Sequence, residues 1–163
     1  MKLLTIYNDG IEYSYYDINS IIKLNTIKDQ LRDCLQKSIE TYPSINQDPN
    51  EHLSILEHQL RIRNEKFKLL VVLKDKILVA FMAVFITEES SENVALIYAA
   101  YFKPGLVNKI LEDFLRFLDT FASENMCNRM SFLTARDEKP FARLLRKYNF
   151  IPTRTVFERK IAI

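Results

Sequence analysis

The sequence predicts a single mixed α/β (α+β) domain spanning residues 1–163, with a mostly antiparallel central sheet flanked by helices. Three observations predict it. Three strand patterns follow one another in the middle of the chain, at 67–73, 77–87 and 94–102. Helical periodicity brackets them, at 29–41 and 48–64 before and at 106–124 and 139–148 after. No internal repeat, low-complexity segment or long linker divides the chain.

In chain order, 2–7 reads as a first strand that ends at the turn residues Asn8-Asp9-Gly10. Tyr13 and Tyr15 lie in a piece that reads either as a short extended segment or as loop. Leu31, Cys34, Leu35 and Ile39 share one face of the 29–41 helix, which stops at Tyr42-Pro43 because the residue before proline is pushed out of helical geometry. Asp48-Pro49 opens the next helix, with Leu53, Leu56 and Leu60 as its buried stripe. The short polar link Lys74-Asp75-Lys76 makes 67–73 and 77–87 a hairpin, and 88–93 is a polar turn into 94–102. Pro104-Gly105 stops that strand. Val107, Ile110, Leu111, Phe114, Leu115, Leu118 and Phe121 then give the strongest amphipathic pattern in the chain. A strand at 129–134, a helix at 139–148 and a last strand at 154–160 complete the order.

Composition narrows the function. The apolar run 77–86 is half the roughly 20 residues a membrane-spanning helix needs, so it reads as a buried strand. The N-terminus turns polar too early for a signal peptide. Cys34 and Cys127 match no zinc or redox spacing and read as buried reduced thiols. Together these place the protein inside a cell or in a particle assembled there, with no membrane partner. Only Gly10 and Gly105 are glycines, so a Gly-rich phosphate loop has no supply. The net charge of +2 is unevenly placed. The stretch 127–163 carries nine Lys and Arg against three acidic residues, a basic end suited to an acidic protein, nucleic acid or a phosphorylated cofactor.

Phe102-Lys103-Pro104 at the strand end, the amphipathic helix with Phe114-Leu115 near its middle, and the closing Tyr148-Asn149-Phe150 together resemble the GNAT N-acetyltransferase superfamily. The resemblance covers nearly the whole chain and is clearest over 67–160. It implies the GNAT fold and acyl transfer from acetyl-CoA to an amine. It also implies the signature Arg/Gln-x-x-Gly-x-Gly/Ala at the opening of the long helix. Set in register from Phe114-Leu115, that signature falls on Leu106-Val107-Asn108-Lys109-Ile110-Leu111, where none of its three defining positions matches. Side chains there are expected to crowd the pyrophosphate path. If CoA binds, Lys103, Gly105 and Lys109 are the residues left to hold it. The family's Tyr-x-x-x-Gly-Phe falls on Leu145 to Phe150, so Leu145 stands where a phenol would protonate the leaving thiolate. Asn149 suits the glycine position, because asparagine tolerates a left-handed helix end.

Other chemistry is sparse. No carboxylate lies between Asn93 and Phe102, which leaves Tyr98 and Tyr101 as the candidate catalytic groups of that strand. His52 and His58, six apart on a helix, make a poor metal pair, and no metal site is expected. The cluster Tyr13, Tyr15 and Tyr16 reads as sheet packing before contact surface. The leading reading is a GNAT-fold protein without catalysis or cofactor, a binding or assembly protein. In this it resembles small glycine-poor GNAT-like proteins of bacteriophages, some of them virion components. Arg143, Arg146 and Lys147, on the outward side of the last helix, are then its partner-binding residues, facing a protein or, through the basic end, nucleic acid. The alternative is an atypical acyl-CoA N-acyltransferase acting on an amine.

Overall fold

The structure is a computed structural model and describes residues 1–8, 11–41, 48–132 and 138–151. Strands β1 (Lys2–Asn8) and β2 (Ile11–Asp17) come first, then helices α1 (Ile21–Asn25), α2 (Lys28–Thr41) and α3 (Pro49–Arg61). Strands β3 (Phe67–Lys74), β4 (Ile77–Glu89) and β5 (Glu92–Phe102) follow, then α4 (Val107–Glu124), β6 (Cys127–Phe132) and α5 (Glu138–Lys147). The six strands form one sheet in chain order, antiparallel from β1 to β5. Among the described strands only β5 and β6 run parallel, and α4 is the crossover that a parallel pair requires.

The sheet divides two cores. On one face α4 buries Ile110, Leu111, Phe114, Leu118 and Phe121 against Val72, Met82, Val84 and Ile97. On the other, Leu24, Leu31, Leu35, Leu53 and Leu56 of α1 to α3 pack on Leu69, Val71, Phe81 and Ala83. Strand β4 lies between the two and is buried from Leu78 to Val84, which is why its sequence is continuously apolar rather than alternating.

Scarce glycine shows in the backbone. Asp75 and Lys76, and again Ser90 and Ser91, have positive φ, as two-residue hairpin turns that match strand twist require. Arg63 after α3, Met126 after α4 and Asn149 after α5 also have positive φ. After α5 the Phe150 N–H donates to Leu145 O and the Asn149 N–H to Arg146 O, the paired bonds of a left-handed helix stop. Asn149 thus does what its position in the sequence predicts.

Several sequence expectations change. The segment around Tyr13 and Tyr15 is a full strand rather than loop, and both rings are buried, in line with the sheet packing expected of them. Helix α1 was not foreseen, because five residues carry no periodicity. The β4–β5 turn is Ser90-Ser91 alone, not 88–93, and β6 begins at Cys127 rather than 129. Cys34 is buried and Cys127 half-buried, both as free thiols. The strand expected at 154–160 lies outside the described residues.

Candidate functional site

Among the described residues β5 and β6 pair from Asn93 with Cys127 to Ile97 with Phe132, and β5 continues to Phe102. In sheets of this kind ligands bind in the crevice outside the carboxyl ends of parallel strands. The chain assembles its candidate groups at this end. Lys103, Pro104, Gly105 and Leu106 alone connect β5 to α4. The Lys103 N–H donates to Val79 O at 2.8 Å, and the Leu106 N–H to Lys103 O at 3.0 Å, closing a tight turn. Gly105 sits at φ +83, where an L side chain is strained, and the space where a Cβ would lie is open.

Helix α4 begins without a side-chain cap. Leu106 is the N-cap residue and makes no capping hydrogen bond, and the first turn holds no acidic residue. Lys103 and Lys109 flank it, both exposed, and neither is in an ion pair among the described residues. First-turn N–H groups and the helix dipole favour an anion at such an end. The donor set fits a phosphate. Leu111 is fully buried in the core beneath α4, so the crowding expected of it does not arise. Positions 109 and 111 are two apart on a helix and face opposite ways. Leu145, at the position of the family's phenol, is buried. The Tyr148 hydroxyl, one turn on, is buried and has no hydrogen-bond partner among the described residues.

Tyr98 occupies a bulge. Ala83 pairs with Ala99 and Val84 with Ile97, leaving Tyr98 without a partner in β4. Tyr98 and Ala99 consequently both pack toward the α1–α3 face, whereas Ile97 and Ala100 belong to the α4 face. The Tyr98 hydroxyl lies 2.7 Å from His52 Nδ1 on α3, with the two rings 5.4 Å apart. Phe85 closes the other side of Tyr98, edge-on at 5.4 Å. Burial holds the His52 pKa below its ordinary 6.5, against the opposing pull of Glu51 and Asp48. Burial, then the charge of Glu51, raises the Tyr98 phenol. At neutral pH the pair is therefore an imidazole and a phenol, both uncharged. Tyr101 is half-buried on the same face, its phenol raised by burial and by Cys34. The structure thus brings Tyr98 together with a histidine that sequence reasoning had set aside.

The other candidates lie apart. Arg143, Arg146 and Lys147 are exposed on α5, with Leu145 buried between them and the Lys147 ammonium 5.5 Å from the Tyr148 ring centre. A shallow groove of about 510 Å³ lies along the C-terminal half of α4 and the start of β6, lined by Asp119, Ser123, Met126 and Arg129 among others. None of the candidate residues lines it. No helix among the described residues is long and apolar enough to cross a membrane.

No family model matches the sequence, and no curated protein matches it. Solved structures do. The chain is similar to the aminoglycoside N-acetyltransferase AAC(6')-Iy in complex with CoA, with a TM-score of 0.72 at 15% identity over 96% of this chain and 100% of that one. It is similar to glucosamine-6-phosphate N-acetyltransferase from Arabidopsis thaliana, with a TM-score of 0.66 at 10% identity over 92% and 99%. It also resembles the aminoglycoside 6'-N-acetyltransferase AAC(6')-Ih from Acinetobacter baumannii, with a TM-score of 0.65 at 16% identity over 93% and 99%. With its parallel β5–β6 pair, crossover α4 and helices on both faces of the sheet, the chain has the fold of the GNAT acetyltransferases.

Proposed function

We propose that the protein is an N-acyltransferase that takes an acyl group from acyl-CoA through an atypical phosphate cradle and passes it to an amine. One juxtaposition supports this reading. The uncapped, acid-free N-terminus of α4, with Lys103 and Lys109 beside it, follows directly on β5, the strand whose opposite face carries the Tyr98–His52 pair. Acyl-CoA supplies an acyl group activated as a thioester. The backbone amides of the first α4 turn, together with Lys103 and Lys109, hold its phosphates, and Gly105 keeps the approach open. CoA is a ligand of the similar AAC(6')-Iy, and the fit to this chain rests on the donor set just described. Acetyl-CoA titrated into the full chain by calorimetry tests the reading. Saturable binding that weakens in Lys103→Ala and Lys109→Ala is expected.

A second reading is a GNAT-fold binding or assembly protein without catalysis. What favours it is Leu145, an apolar buried residue where the related pattern has a proton donor, together with the missing signature glycines. On that reading Arg143, Arg146 and Lys147 are the surface offered to an acidic protein or to nucleic acid. No heat with acetyl-CoA, and no rise in melting temperature, would select it.

A further inference from the structure

We infer that Tyr98 and His52 form a two-residue proton relay serving the acceptor amine, with the phenol donating to His52 Nδ1 and keeping its own oxygen lone pair turned to the ligand. The inference rests on the acyl-transfer reading and adds the group that receives the amine's proton. Its first support is geometry. A 2.7 Å bond joins a phenol on β5 to an imidazole on α3, across elements 46 residues apart in the chain. Its second is position. Tyr98 sits in the β4–β5 bulge and is half-buried rather than closed off, and bulges occur beside active sites, where they re-aim a side chain. Its third is support from the surroundings. Phe85 packs on the phenol from one side and His52 from the other, and Phe67 backs Phe85 at 4.9 Å.

A phenol alone is a poor base at neutral pH, because its ordinary pKa is about 10. Joined to a neutral imidazole it can accept a proton on oxygen while releasing its own to nitrogen. Tyr98 Oη takes the proton that the amine nitrogen loses on forming its bond to the acyl carbon, as the bond from that carbon to sulfur breaks. His52 Nδ1 takes the phenol's proton in the same movement. The resulting imidazolium then returns one proton to the departing thiolate through solvent. Amine and thioester become amide and thiol, with charge and protons conserved. The charged groups acting on His52 are Glu51 and Asp48 of its own helix, and from β5 it meets the uncharged Tyr98. Protonating His52 in advance stops the relay, so turnover should fall on the acid side.

Nitrogen NMR of the histidine-labelled full chain, calorimetry with acetyl-CoA, and acetylation of an amino sugar, a diamine and a lysine peptide together test the relay. The relay requires His52 at pH 8 to be the tautomer with its proton on Nε2. Its titration midpoint should lie below 6.5 and coincide with the acid limb of kcat/KM. Tyr98→Phe, which keeps the ring against Phe85, should lower kcat roughly 100-fold, the lower range for a lost acid–base group. The same variant should leave acetyl-CoA affinity unchanged. His52→Gln should abolish the acid limb. A proton on Nδ1, a Tyr98→Phe enzyme of normal kcat, or an acid limb that survives His52→Gln overturns the relay and leaves acyl transfer standing. A wild type that binds acetyl-CoA but acetylates none of the three amines also overturns the relay. Absence of acetyl-CoA binding removes the acyl-transfer reading, and the relay with it.

Discussion

At the scale of single residues, stability should report His52 directly. Its folded pKa is depressed below 6.5, so as pH falls through that value the unfolded chain takes up the proton first. The fold therefore loses stability from 6.5 down to the folded midpoint, and this loss stops once both states are protonated. Urea unfolding at pH 8 and pH 5 should show a smaller acid loss in His52→Gln than in the wild type. Leu111→Ala should cost about 2–5 kcal/mol in the same measurement, as expected for a leucine in a closed core. A cost near zero would instead place that side chain on the ligand path. The Tyr98–His52 pairing was not legible in the sequence, whereas Leu111 already belongs to the apolar face of the 106–124 pattern. His52 and Tyr98 meet only because α3 folds back over β5. The motif register put Leu111 on the pyrophosphate path, and the structure follows the periodicity instead.

Among secondary-structure elements, legibility followed periodicity. Helix α4 was readable because seven apolar residues recur on one face, and β3 and β4 because a polar link divides two apolar runs. Strand β2 was not, since it lies inside the sheet and buries Tyr13, Ser14 and Tyr15 in succession, which hides the period of two. Phe114 stands at the centre of the α4 interface, edge-on to Tyr15 with centroids 6.2 Å apart, and Tyr15 donates to Asp113 at 2.8 Å. Phe114→Ala should therefore cost about 3–5 kcal/mol in denaturant unfolding. The turns make the opposite kind of prediction. Met126 is 81% exposed at φ 54, a conformation costing a side-chain-bearing residue about 1–2 kcal/mol. Met126→Gly should raise the melting temperature, the relief of backbone strain outweighing the added freedom of the unfolded chain.

For the whole molecule, the order of elements in the sequence carried the fold, while the chemistry depended on which strand ends and helix ends the fold brought together. The missing glycines and Leu145 are plain in the sequence and speak for loss of the acyl-CoA site. The uncapped start of α4 and the Tyr98–His52 bond are visible only in three dimensions and are what the proposed acyl transfer rests on. The basic face of α5 gives a separate check. Replacing Arg143, Arg146 and Lys147 by alanine should leave the melting temperature nearly unchanged, because exposed charges contribute little to stability. The measurement that decides between retention and loss most directly is calorimetric titration of acetyl-CoA into the wild type beside Lys103→Ala. Acyl transfer requires saturable binding to the wild type, with a rise in melting temperature because ligand binds only the folded state, and weaker binding to the variant. No heat and no thermal shift, up to ligand concentrations far above those acyltransferases use, would contradict it and leave a GNAT-fold binding protein.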